Sequence, residues 1–78
     1  MFDEGKIIEK CLKKDHKARK QLFDQFAPRL YSLCRRYTKN KAEAENILKE
    51  GFVNIFTRLK NFDGRISLED WMNRIMIN

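Results

Sequence analysis

Apolar residues recur along this chain at three- and four-residue steps, and no segment shows the sustained two-residue alternation of a half-buried strand. Ile7, Ile8, Cys11 and Leu12 make one face of a short helix from about Glu4 to Lys13, with Lys6, Glu9, Lys10 and Lys13 off that face. Asp15 is a good N-cap for a second helix reaching about Lys39, whose apolar face is Leu22, Phe23, Phe26, Leu30, Leu33, Cys34 and Tyr37. Pro28 falls inside that pattern and cannot donate to the carbonyl of Asp24, which predicts a bend or two shorter helices.

The third pattern is the clearest. Asn40 and Glu43 read as an Asn variant of the capping box, and Leu48, Phe52, Ile55, Phe56, Leu59 and Phe62 follow at helical spacing. A turn is expected at residues 61–65, where Gly64 can supply a positive φ. Ser67, with Asp70 three residues on, opens a fourth helix striped by Leu68, Trp71, Met72, Ile75 and Met76. That stripe is still running at Asn78, with no Gly, Pro or basic final turn, so the chain reads as the N-terminal part of a longer protein or a cut piece.

These elements predict an all-α fold, a compact bundle of about four helices in one domain over residues 1–78. Composition agrees: 42% hydrophobic residues are too many for a disordered tail, and 36% charged residues too many for a membrane protein. No apolar run approaches the ~18 residues that span a bilayer. The acidic start, Met1-Phe2-Asp3-Glu4, lacks the basic-then-apolar order of a signal peptide, so a cytosolic protein is expected.

The sequence offers no catalytic constellation. Cys11 and Cys34 do not form a Cys-x-x-Cys pair, and with the lone His16 they give no zinc-ligand set; both fall on apolar faces as reduced core residues. His16 has no nucleophile at a recognisable spacing, and Glu43, Glu45 and Glu50 read as a solvated helix face. The chain is therefore expected to be a binding module, not an enzyme, with no cofactor and no metal.

What remains is surface chemistry. The net charge of +6 and a pI near 9.6 favour a polyanionic partner, although a charge excess serves solubility as well. Lys10, Lys13, Lys14, Lys17, Arg19 and Lys20 form one basic run, and Arg35, Arg36, Lys39 and Lys41 a second. The third, Arg58, Lys60, Arg65 and Arg74, is interleaved with Phe62 and Trp71. Cations beside rings suit single-stranded nucleic acid, with charge for phosphates and π-faces for unstacked bases. The helical spacing of Phe62 and Trp71 equally fits core positions, and a ring can do both with one edge buried.

Three stretches carry a family resemblance. Glu45-Asn46-Ile47-Leu48-Lys49-Glu50-Gly51-Phe52, with Phe56 four residues later, resembles the polymerase-binding helix of bacterial sigma factors of the extracytoplasmic-function group. Phe62-Asp63-Gly64-Arg65-Ile66-Ser67-Leu68-Glu69-Asp70-Trp71-Met72-Asn73-Arg74-Ile75 is similar to the family's Phe-Arg-Gly...Ser-Phe-x-x-Trp-Leu-x-Arg-Ile segment. Upstream, residues 23–37 resemble its first long helix, with Pro28 in its place. The resemblance covers nearly the whole chain and identifies it as the family's second region; the helix-turn-helix domain that reads the upstream promoter element is absent from this sequence.

The resemblance implies two partners. The first is the clamp helices of the RNA polymerase largest subunit, faced by Asn46, Ile47, Lys49, Glu50, Val53 and Asn54. Asn46 stands where an acid is usual and Lys49 where Gln is usual, which weakens or re-aims part of a contact to a basic clamp surface; Glu50 keeps the acidic element. The second is the non-template single strand of promoter DNA at the minus-ten element. Arg58, Lys60, Arg65 and Arg74 are expected on phosphates, Asn61, Asp63 and Ser67 on base edges or pocket walls, and Phe62 and Trp71 beside the bases. Asp63 replaces a common Arg, which bears on sequence preference. Competing readings are a protein-interaction module sequestered by an anti-sigma regulator, and a generic basic helical domain that binds duplex DNA.

Overall fold

The computed structural model describes residues 1–77. Four α-helices follow one another: α1 (Glu4–Leu12), α2 (His16–Arg36), α3 (Lys41–Arg58) and α4 (Leu68–Ile77), with a 3₁₀ turn (Leu59–Asn61) closing α3. The all-α bundle expected from the hydrophobic spacing is therefore what the chain forms.

Short polar side chains fix the helix starts. The Asp3 carboxylate accepts from Lys6 N at 3.1 Å, Asn40 Oδ1 from Glu43 N at 2.8 Å, and Ser67 Oγ from Asp70 N at 3.1 Å. Asp15 accepts from both Lys17 N and Ala18 N, at 2.9 and 3.2 Å. Just before it, α1 ends in a Schellman-type turn: Asp15 N donates to Lys10 O and Lys14 N to Cys11 O, with Lys14 at φ 63° where glycine is usual. One residue thus closes the first helix with its backbone and opens the second with its side chain.

Two expectations for α2 need correction. Pro28 does not divide it, because His16–Arg36 is one helix with the proline inside. Pro28 and Asp24 both lie on the exposed face, where water can solvate the carbonyl that loses its donor. The helix also stops at Arg36 and not near Lys39, and Tyr37, expected in the apolar face, is its C-cap with 65% of its surface exposed. Phe23 is also only partly covered, its ring lying 4.7 Å from that of Phe52 between centroids. At the end of α3 the continuous pattern to Phe62 breaks into the 3₁₀ turn, so Phe62 follows the helix and does not belong to it.

The core is a single cluster to which every helix contributes. Ile7 and Cys11 come from α1, Leu22, Leu30 and Cys34 from α2, Leu48, Phe52 and Ile55 from α3, and Leu68, Met72 and Met76 from α4. Both thiols are free and buried, and desolvation raises their pKa, so they stay protonated and act as small apolar fillers. An exposed Arg29–Glu69 ion pair links α2 to α4 across the surface. No helix among the described residues is long and apolar enough to cross a membrane.

Candidate functional site

The α3 helix sorts its residues by angle. Ala44, Leu48 and Ile55 point into the core, and at about 100° per residue Asn46, Glu50, Val53 and Thr57 stand on the opposite line. Of the six residues expected to dock on polymerase, Asn46, Lys49, Glu50, Val53 and Asn54 are exposed and Ile47 is half-buried at the edge. They form one continuous surface. Val53 is 64% exposed at its centre, an apolar side chain amid polar ones. Thr57 extends the same line by one turn, although its hydroxyl bonds back to Val53 O at 2.8 Å. It was not anticipated from the sequence, where only its helical register pointed to it.

The second surface is the loop between α3 and α4. Gly64 adopts φ 77°, the positive value expected of it. Asp63 and Arg65 are held together in the loop: Asp63 Oδ1 accepts from Arg65 N at 3.0 Å, and its other oxygen pairs with Arg65 Nε at 3.1 Å. The carboxylate expected on a base edge is thus already engaged in shaping the turn. Ser67 has a structural duty too, as the cap of α4, while its own hydroxyl proton remains free to donate.

The rings of Phe62 and Trp71 touch, with centroids 5.2 Å apart and planes inclined at 52°. Both are half-buried, packed against the core on one side and accessible on the other. The core role and the surface role left open for them are therefore compatible in one geometry. Asn61 is exposed in the 3₁₀ turn just before the pair.

Not every expected cation joins this surface. Lys60 lines a groove between the α1–α2 turn and α3, alongside Leu12, Lys14, Arg19 and Val53. There the Arg19 guanidinium lies over the Phe56 ring, 5.2 Å from its centroid, and Arg19 Nε is buried without a hydrogen-bond partner. Arg58 is exposed on the last turn of α3, and Arg74 lines a cavity with Tyr37, Leu33, Asn73 and Ile77. Sequence spacing had grouped these cations by proximity along the chain, but a helix end sends successive side chains to different faces.

The family model described as Sigma-70 region 2 matches residues 22–78, which takes in α2, α3, the loop and α4. The chain belongs to that family. It is similar to the ECF RNA polymerase sigma factor SigW of Bacillus subtilis, 32% identical over 94% of this chain and 39% of the relative. The ECF RNA polymerase sigma factor SigE of Mycolicibacterium smegmatis is 33% identical over 74% of this chain and 22% of its own length. The RNA polymerase sigma-H factor of Pseudomonas aeruginosa is 26% identical over 96% of this chain and 39% of its own length. No solved structure matches significantly.

The chain spans about two fifths or less of the length of these relatives. It is a sigma-70 region 2 domain, and the two relatives above that exceed 30% identity are ECF RNA polymerase sigma factors. The family match begins at Leu22 and leaves α1 outside it, yet α1 supplies Ile7 and Cys11 to the shared core of this sigma domain.

Proposed function

We propose that this domain docks on the clamp helices of RNA polymerase through α3 and captures unpaired non-template bases of the promoter minus-ten element with the loop and α4. The reading rests above all on one observation: the α3 surface opposite the core is continuous, exposed, and carries Glu50 beside the apolar Val53. A carboxylate next to an exposed apolar contact suits a basic helical partner, with charge setting orientation and the apolar contact supplying burial. Lys49, on the flank of that surface, shifts the contact toward Glu50, Val53 and Asn54.

On the DNA side, the paired Phe62 and Trp71 rings offer a half-exposed π-surface, Arg65 offers charge beside it, and Arg74 offers charge one helical turn further along α4. Unstacking a base costs a few kcal/mol, which stacking and phosphate contacts offset. The domain then works by binding alone, in the bacterial cytoplasm and at the nucleoid when active, without a catalytic step of its own.

Binding to a purified clamp-helix fragment tests the docking half. Saturable binding is expected, weakened at least about tenfold by Glu50→Lys, because a like charge then meets the basic partner. Binding that ignores this substitution would sink the assignment of α3. For the DNA half, Arg65→Ala combined with Arg74→Ala should reduce affinity for a promoter bubble; unchanged affinity would exclude the loop and α4 as the strand-binding surface.

A further inference from the structure

The second basic cluster of the sequence has no part in either surface described so far, and along the chain it flanks an aromatic ring that the fold leaves uncovered. Tyr37 caps α2 with 65% of its surface exposed. Arg35 and Arg36 precede it and Lys39 and Lys41 follow, all exposed. The ion pairs among the described residues are Lys13–Glu9, Lys20–Asp24, Arg29–Glu69 and Arg65–Asp63, so none of these four cations is neutralised by a carboxylate.

Helix electrostatics explains only half of the cluster. Arg35 and Arg36 stand in the last turn of α2, where the negative end of the dipole favours cations. Lys39 lies beyond the helix, and Lys41 is the first residue of α3, where the positive end of that dipole disfavours a cation. Helix electrostatics therefore does not account for Lys41, and an anion from outside the chain would.

Beside the ring, between α2 and α4, opens a cavity of about 440 Å³ lined by Leu33, Tyr37, Asn73, Arg74 and Ile77. Its chemistry matches one ligand class closely. The cavity is a shallow, open depression in which Leu33 and Ile77 give apolar surface, Tyr37 a ring, and Asn73 a carboxamide that can both donate and accept along a base edge. Arg74 adds a charge for the adjoining phosphate. An apolar protein segment would cover the apolar surface equally well but would leave the flanking cations without counter-charges.

We propose that this cavity is a second nucleic-acid subsite, which takes one unpaired nucleobase against Tyr37 while Arg36, Lys39 and Lys41 hold the neighbouring phosphates. The proposal rests on the promoter-strand reading and extends it. Arg74 lies three residues, about one helical turn, beyond Trp71 on α4, so a strand leaving the Phe62–Trp71 pair along that helix arrives at the cavity. The subsite lengthens the single strand that the domain reads, from the loop to the far end of α2.

The test uses the 78-residue chain with single-stranded oligonucleotides carrying 2-aminopurine at successive positions. The expected result is fluorescence quenching at a position outside the one served by the Phe62–Trp71 pair. Tyr37→Leu should abolish that quenching and weaken single-strand affinity about tenfold, the size of one lost base stack. Tyr37→Phe should retain both, and duplex affinity should not respond to either variant. Because Tyr37 is largely exposed, neither change threatens the fold, which circular dichroism would verify. Single-strand binding that falls with Arg65→Ala but not with Tyr37→Leu would overturn the subsite and leave the promoter reading standing. A chain with no preference for single strands over duplex would overturn both.

Discussion

Gly51 sits in the middle of the α3 stretch proposed to dock on polymerase, between Glu50 and Phe52, yet its own role is internal. It faces α4, and a Cβ built there would lie 2.2 Å from Met76 Sδ and 2.6 Å from Met76 Cε. Glycine therefore leaves room for the Met76 thioether between α3 and α4, at the cost of its poor helix propensity, while Glu50 beside it is exposed. Gly51→Val should lose about 1–3 kcal/mol, because two methyl groups must displace a buried Met in a filled core. The denaturation midpoint measures this directly, and an unchanged midpoint would show that Met76 repacks freely. At the same scale, Arg19 shows how position decides role. The sequence places it in a run of lysines, but the fold lays it over Phe56 with its Nε buried, so it is a packing residue as much as a charge.

Among the elements, the junction between α1 and α2 is the most tightly determined. Asp15 donates its backbone N–H to the end of α1 and accepts two N–H groups at the start of α2, so the turn needs only Lys13, Lys14 and Asp15. Asp15→Ala should cost about 1 kcal/mol by leaving both amides uncapped, whereas Asp15→Asn should cost much less. Thermal unfolding distinguishes these outcomes, and equal losses would mean that charge and not capping is at work. The helix starts were legible in sequence for this reason, since capping is a local matter of short polar side chains. The helix ends were less so. α2 stops at Arg36 and α3 starts at Lys41, whereas apolar spacing alone carried the expectation on to Lys39.

For the whole molecule, charge and core divide the two surfaces. The net charge of +6 gives any nucleic-acid contact a steep salt dependence through counterion release. For about four phosphate contacts, log K for a single strand should fall with log salt at a slope near −3. Docking on the clamp helices, centred on Val53 and Glu50, should respond far less. Titrating both partners between low and physiological salt checks the division, and equal slopes would mean that the two surfaces are not separate. A core shared by all four helices also means that α1, although outside the family match, contributes to the packing of the domain.

The sequence by itself determined the helix count, most of the faces turned inward though not Leu12, Phe23 or Tyr37, the buried cysteines, the capping residues and the positive φ at Gly64. Each depends on residues within a few positions of one another, where helical periodicity and side-chain chemistry act locally. It also carried the family, through motifs whose order and spacing survive substitution. Tertiary structure decided what depends on distant residues meeting: that Phe62 and Trp71 share one half-buried ring pair, and that Lys60 and Arg19 line one groove. It also left Tyr37 uncovered. Apolar spacing states that a residue can be buried, and only the placement of the other helices decides whether anything covers it.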